Sequence, residues 1–474
     1  MDRFLPARPA ETVALPAEIA ELPASSGTSL LSRAELDRSP NADLWERIRA
    51  GFGMPDLEGP LVDKWVAFYA GKPDYMRRMT ERGGRSLFHI VEVVSRRGMP
   101  MELALLPFIE SAFNPQAMST AKASGMWQFV PATGREYDLR QNVFRDDRRD
   151  VLASTQAALK YLQSLHVMFN DWQLALAAYN WGQGSVQRAQ ARNRKLGRPE
   201  GYLDLAMPDE TRNYLPKLQA MKRLIARPEA HGLTLPVLEN HPYFLSVDLG
   251  RDIDVELAAR WADLSVDAFR ELNPQLNKPV VLHKGTPQLL LPYDAANRFV
   301  RMQALHGDRP TATWTGWKVP RHMTPTEAAK AVGMAESTLR EVNAIPARML
   351  IKASSTLLVT RDGRRDIDVS VAMADEAALL LAPQRGEPKP MMVKAGQKGE
   401  TVAAVARRYG FTPAQVAQWN RVSEDARFKP GQSVVVMTRP AAAKLAKASA
   451  TRAAVPAKAS RPAKPAAKVR VAMR

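Results

Sequence analysis

Between residues 41 and 230, apolar side chains recur every three or four positions, the period of a helix with one buried face. In Asp150–Phe169, the residues Leu152, Ala158, Leu159, Leu162, Leu165 and Val167 fall on one broad face, and Asp150 stands where an N-cap belongs. Asp171–Gly184 reads as a second apolar helix, capped by Asp171 and stopped by the glycines at 182 and 184. Glu210–Ile225 reads as a third. Strand signals are nearly missing from this region, which predicts a mainly α domain over 41–236.

After about residue 240 the pattern shortens. Three segments share the order strand, helix, Asn-containing turn, helix or loop, apolar strand. They open with FLSVDL, GWKVPR and MMVKAG, turn at Asn273, Asn343 and Asn420, and close with PQLLLP, STLLVT and QSVVVM. The asparagines follow Val247, Val319 and Val393 by 26, 24 and 27 residues, so the spacing predicts an internal βααβ repeat of small α+β modules over 241–295, 314–361 and 391–438. The fold class is therefore multidomain. Residues 374–390 read as a linker. Residues 1–40, rich in Pro, Ala and Ser, read as a flexible leader, and the Ala/Lys/Pro-rich 439–474 as a disordered tail.

Charge sharpens one part of this picture. The 474 residues carry 67 Lys+Arg against 49 Asp+Glu, a formal +18, and the tail from Arg439 holds ten Lys/Arg and no acid. Such a tail favours anionic polymers or an anionic membrane surface. It lacks interleaved aromatics for stacking bases, so specific nucleic-acid recognition is not expected. With no cysteine, disulfides, thiolate metal sites and cysteine nucleophiles are excluded. The seven histidines show no metal-ligand spacing, and no nucleotide fingerprint occurs, so no metal and no cofactor are expected. No apolar run approaches the ~20 residues of a membrane span. The N-terminus shows neither a signal-peptide pattern nor a lipobox cysteine, so the chain either is cytosolic or begins after or inside an export signal.

Candidate chemistry centres on Glu110, which follows the apolar LALLPFI. A carboxyl at the end of such a segment can be desolvated, stay protonated near neutrality and serve as a general acid; the bland alternative is a helix-end Glu reaching solvent. The loop ASGMWQFVPATGREY sets Met126, Trp127, Gln128 and Phe129 between glycines. Aromatics beside an amide suit sugar binding, or else tuck into the core. Tyr179 and Asn180 lie at a helix end beside a glycine turn, where Asn also serves as a cap.

In combination and order, IESAFNP, ASGMWQFVPATG, LALAAYNWGQG and ETRNYLPKL resemble the soluble-lytic-transglycosylase type of catalytic domain, in particular the membrane-bound lytic murein transglycosylase D group. KAGQKGETVAAVARRYGFTPAQVAQWNRV with FKPGQSVVV resembles a LysM module. The resemblance implies a lysozyme-like catalytic fold followed by LysM-like modules. It implies Glu110 as the single acid/base, paired with Ser111. Met126, Gln128 and Phe129 would line the glycan cleft, Tyr179 and Asn180 would face the glutamate, and Tyr214 would stand near the same centre. The implied reaction is non-hydrolytic cleavage of the MurNAc-β-1,4-GlcNAc bond of peptidoglycan to a 1,6-anhydro product. It implies a monomer acting in the periplasm or at the outer membrane. In the third module the implied glycan-binding loops are Gly399, Glu400, Thr401 and Val402 with Lys429, Pro430 and Gly431. The first two modules lack the Gly-Asp/Glu-Thr signature, and the first reads as a spacer. Rival readings are a hydrolytic muramidase on the same fold and a non-catalytic peptidoglycan-binding protein.

Overall fold

The computed structural model describes residues 43–363, 365–384 and 390–437; the expected leader and basic tail lie outside them. The chain divides into two compact units. The first comprises 43–322, 326–344 and 352–380, and the second 323–325, 345–351 and 381–437.

The first unit begins with a helical body. Its helices are α1 (Leu44–Ala50), α2 (Pro60–Ala70), α3 (Pro73–Gly84), α4 (Leu87–Arg96), α5 (Leu106–Ser111), α6 (Pro131–Glu136), α7 (Val151–Phe169), α8 (Trp172–Trp181), α9 (Gln183–Lys195), α10 (Asp209–Arg212) and α11 (Tyr214–Ala226). Asp150 caps α7 by accepting from the Ala153 amide, and Asp171 caps α8 through Gln173 and Leu174. One apolar core gathers these helices, with Trp45, Leu103, Phe108, Trp127, Leu159, Leu176 and Met221 wholly inside.

Three local expectations change. Val167 is 79% exposed, because the buried stripe of α7 runs through Val151, Ala158, Leu162 and Leu165 and leaves position 167 on the outer side. Gly184 lies inside α9, and Gly182 alone, with φ +89°, ends α8. The expected helix over 210–225 breaks at Asn213 into α10 and α11.

The first module follows in the same unit: β1 (Phe244–Asp248), β2 (Ile253–Asp254), α12 (Val255–Trp261), α13 (Val266–Leu272), β3 (Val280–Val281), β4 (Gln288–Pro292) and a trailing helix α14 (Tyr293–His306). The second brings β5 (Trp314–Lys318), α15 (Pro325–Val332), α16 (Glu336–Asn343), β6 (Met349–Ile351) and β7 (Thr356–Thr360), followed by α17 (Val371–Glu376) and β8 (Leu381–Pro383). The third, in the second unit, has β9 (Pro390–Lys394), β10 (Glu400–Thr401), α18 (Val402–Tyr409), α19 (Pro413–Asn420), β11 (Arg427–Phe428) and β12 (Ser433–Met437). Opening and closing strands pair antiparallel in each: β1 with β4, β5 with β7, β9 with β12.

The repeated asparagines have one structural job. Asn273 donates to the carbonyls of Phe269 and Leu290 and accepts from the Leu290 amide. Asn343 does the same with Leu339 and Leu358, and Asn420 with Val416 and Val435. One amide side chain thus ties the second helix to the closing strand, using both its donor and its acceptor.

Part of the expected linker is folded. Ala374 and Ala377 are buried in a cluster with Phe144, Leu282, Leu358 and Val369, and β8 pairs with β6. The helical body's loop at 142–146 reaches into this region. Val143 donates to the Ala377 carbonyl, Asn142 donates to those of Ala374 and Asp375, and the Phe144 carbonyl accepts from Asn277.

Candidate active site

Two glutamates flank one apolar segment and meet opposite fates. Glu102 is buried, accepts from the amides of Gly53 and Met54, and pairs with Lys222 at 2.9 Å. Its charge is matched on every side and serves the fold. Glu110 sits in the last turn of α5, half-buried, and receives one side-chain hydrogen bond, from the Tyr214 hydroxyl at 2.5 Å to Oε1. Its carboxyl is pushed up to about 7, chiefly because surrounding protein strips water from the charged form. The Tyr214 bond pulls the other way, the charge of Glu210 pushes further up, and that of Lys217 pulls down.

The backbone leaves α5 sharply. Ala112 and Phe113 both hold positive φ, 51° and 57°, a conformation that costs non-glycine residues of order 1 kcal/mol each. The turn is pinned by the Phe113 amide on the Pro107 carbonyl and by Arg82, whose Nε donates to the Ala112 carbonyl. Ser111 donates its hydroxyl to the Met126 carbonyl at 2.9 Å, which ties the glutamate's helix to the loop at 123–129.

That loop packs inward. Met126, Trp127 and Phe129 are buried in the core, and Trp127 donates to Thr155 Oγ1. Phe129 therefore presents no open face to a sugar, contrary to expectation, and Met126 shows only a small edge, in a cleft beside Phe113; the loop's apolar side chains complete the helical core. Gln128 keeps partial exposure, with φ 52° and its amide nitrogen on the Gly125 carbonyl. Gly125 is obligatory, since a Cβ there would lie 1.9 Å from the Arg148 carbonyl oxygen. Arg148 braces the loop by donating to the carbonyls of Lys122 and Phe129 while gripping Asp146 with two donors.

Opposite Glu110 stand the tyrosines. Tyr179 donates to the Trp127 carbonyl at 2.8 Å, and both its hydroxyl and that of Tyr214 are held far above their usual titration range, first by burial and then by the Glu110 charge. Asn180 accepts from Thr211 Oγ1, and Tyr202 donates to the Thr211 carbonyl, which anchors α10 to the end of α8. The structure thus brings Glu110, Ser111, Tyr179, Asn180, Tyr214 and the Gln128 loop into one neighbourhood. Sequence reading missed Glu210, Thr211 and Lys217, although Glu210 begins the ETRNYLPKL motif that marked Tyr214. It also missed Tyr161, which packs against Tyr179 with ring centroids 5.4 Å apart.

In the third module the β10–β11 pair sets Glu400 opposite Phe428 and Thr401 opposite Arg427, so the two expected glycan-binding loops lie side by side. Lys429, Pro430 and Gly431 are exposed, and Gly399 and Thr401 partly so. Gly399 has φ +73°, and a Cβ there would come within 2.8 Å of the Phe428 carbonyl oxygen. Glu400 accepts from the Gly396 amide and pairs with Arg408 at 3.0 Å, and Thr401 caps α18. Val402 differs from expectation: it is wholly buried in the module core, where it starts α18. One group of potential metal donors occurs among the described residues, Asp252, His283 and Asp368. Arg361 lies against both carboxylates, at 3.1 and 2.8 Å, so the group forms an ion-pair network between the first two modules.

The chain is similar to several known families and proteins. Residues 91–200 match the transglycosylase SLT domain family, 243–307 the LysM-like domain of lytic transglycosylase MltD, and 397–436 the LysM domain. The membrane-bound lytic murein transglycosylase D of Escherichia coli strain K12 is 29% identical over 412 residues, covering 85% of this chain and 87% of that protein. An Alteromonas sp. (strain M-1) protein named for tributyltin chloride resistance is 32% identical over 181 residues, covering 38% of this chain and 86% of its own length. The crystal structure of a 70 kDa soluble lytic transglycosylase from Escherichia coli aligns over 30% of this chain and 24% of that one, with 23% identity and a TM-score of 0.25.

Proposed function

The chain belongs to the membrane-bound lytic murein transglycosylase D family and is a peptidoglycan lytic transglycosylase; on that premise we propose that Glu110 carries the whole acid–base cycle. The supporting observation is its carboxyl, raised to about 7 by desolvation and touched, among the described residues, by one side-chain donor, Tyr214. Because Tyr214 occupies Oε1, the exchangeable proton sits on Oε2. Glu110 passes that proton to the bridging oxygen of the MurNAc-β-1,4-GlcNAc bond, which breaks. The muramyl acetamido oxygen stabilises the oxocarbenium-like carbon. The Glu110 carboxylate then takes the proton of the muramyl 6-hydroxyl, whose oxygen closes on that carbon to give the 1,6-anhydro ring. A hydrolytic glycosidase normally uses two carboxylates, and substrate assistance is the recognised exception. Ser111, Tyr179 and Asn180 hold the site's walls through backbone carbonyls and Thr211, while Gln128 supplies a partly exposed amide for the sugar.

The rival reading is a hydrolytic muramidase, which would need a second carboxylate; Glu210 is the acid whose charge acts on the Glu110 carboxyl. Mass spectrometry of digested sacculi separates the two. Anhydro-ended muropeptides are expected from the wild type and about a thousandfold fewer from Glu110→Gln. Reducing ends would install the hydrolytic reading, and equal digestion by both proteins would remove Glu110 from the chemistry. Glycan holding falls to the loops of the third module, Gly399–Thr401 and Lys429–Gly431. The place of action that fits the family is the periplasm or the outer membrane; among the described residues no helix is long and apolar enough to cross a membrane.

A further inference from the structure

Behind the turn that follows Glu110 lies a cleft of about 370 Å³ between the helical body and α13 of the first module. Its floor is apolar, built from Phe113, Met126, Phe244 and Leu272, all buried. Its rim carries three guanidinium groups, Arg82, Arg85 and Arg270, against two carboxylates, Asp267 and Glu271. Arg85 is already paired across the cleft with Glu271. Arg82 spends its Nε on the Ala112 carbonyl, and among the described residues neither Arg82 nor Arg270 forms an ion pair. The rim therefore has uncommitted cationic donors above an apolar floor, a combination suited to a short chain that mixes methyl groups with carboxylates.

The cleft lies a short distance along the chain from Glu110. Phe113 and Asn114 line it and follow Glu110 by three and four residues, so their Cα atoms lie within about 14 Å of that of Glu110 along the chain. A four-residue peptide spans about the same distance. Met126, also in the lining, bears the carbonyl that accepts from Ser111. The first module completes this cleft with Phe244 of β1 and with Asp267, Arg270, Glu271 and Leu272 of α13.

We propose that this cleft is a subsite for the anionic peptide carried by the substrate's muramyl residues, with Arg82 and Arg270 holding its carboxylates. The inference rests on the transglycosylase reading and adds a preference for peptide-bearing over bare glycan. It also gives the first module a role in specificity.

The test compares initial rates of anhydro-end formation by the full chain on peptide-bearing glycan and on amidase-stripped glycan, which keeps the lactyl carboxylate. For Arg270→Glu and for Arg82→Gln, the ratio of the two rates is expected to fall about tenfold, the loss of one charge-assisted bond. Arg82→Gln guards against a folding defect in Arg270→Glu, and both are checked by thermal unfolding. An unchanged ratio in folded variants overturns the proposal. So does an equal loss on both substrates, which would assign Arg270 to the lactyl carboxylate and leave Arg82 only its hold on the turn after Glu110. Wild type that forms no anhydro ends on either substrate would instead overturn the transglycosylase reading itself.

Discussion

In the first module Val280, Val281 and Leu282 are wholly or nearly wholly buried, and Leu282 packs with Phe144, Ala312, Leu358 and Ala374. In the third module the matching stretch runs through Arg427 to Lys429, and only Phe428 is buried. Asp254, at the strand end that corresponds to Thr401, accepts from both the amide and the hydroxyl of Thr313. Gly285 faces Ala374, with room for no more than a tight Cβ contact at 3.1 Å. The same βααβ frame and the same asparagine bracket are therefore put to different uses. Where the loops beside the short strand pair stay open, their backbone and side chains are free for the glycan holding proposed above. Where neighbouring segments cover them, the module becomes part of the enzyme's own body.

The largest effect expected separates chemistry from wall holding. Glu110→Gln should lower anhydro-product formation by about a thousandfold, within the range for losing a general acid–base group. Cosedimentation with sacculi should persist, because the third module's loops are untouched. Loss of both would mean that glycan retention also depends on the catalytic groove.

Next comes Leu282→Ala, which opens a hole under the covered loop of the first module. It should cost about 2–5 kcal/mol in denaturant unfolding. The corresponding change in the third module, Lys429→Ala, should stay within about 0.5 kcal/mol while weakening sacculus binding. Equal costs would erase the distinction drawn between covered and open loops.

The raised carboxyl makes a pH-dependent prediction of up to about 3 kcal/mol. With its folded value near 7 and its ordinary value at 4.5, Glu110 binds more protons folded than unfolded across that window. Stability therefore falls as pH rises through it, and the full cost is present above 7. Glu110→Gln should unfold at a higher temperature than wild type at pH 8 and at the same temperature at pH 4. Wild-type activity should decline above pH 7 as the acid loses its proton. A flat difference between the two proteins over that range would contradict the desolvated environment.

The smallest effects concern the bracket. Asn273, wholly buried, should cost about 2–3 kcal/mol on change to Ala, since the Leu290 amide and carbonyl lose their partner out of water. Asn420, partly exposed, should cost about 1 kcal/mol, because solvent can reach the freed groups. Chemical denaturation of the two variants gives the comparison directly.

Much of this architecture was readable along the chain. Local rules placed Asp150 and Asp171 at their caps, and constant spacing exposed the asparagines before their hydrogen bonds were known. The cluster of motifs also marked Glu110, Tyr179, Asn180 and Tyr214. Other features were hidden because they depend on partners far away in sequence. Met126 and Phe129 look like sugar platforms in isolation, yet the inward fold of their loop is set by Arg148 and by the closeness of Gly125 to the Arg148 backbone. Val402 and Val167 exchanged their expected roles for the same reason, since an apolar residue's exposure is decided by what packs over it. Residues 374–390 looked like linker because short alanine-rich runs bury little by themselves; Phe144, more than two hundred residues earlier, makes Ala374 and Ala377 core.

What the amino-acid order determined alone was periodic and local: helical faces, caps, the repeat and the residue types able to move a proton. What only the tertiary structure decided was solvation. The Glu110 carboxyl is pushed up to about 7 because the surrounding core excludes water from it, against the downward pull of the bond from Tyr214, 104 residues away, and no local pattern encodes how much water a carboxyl will lose.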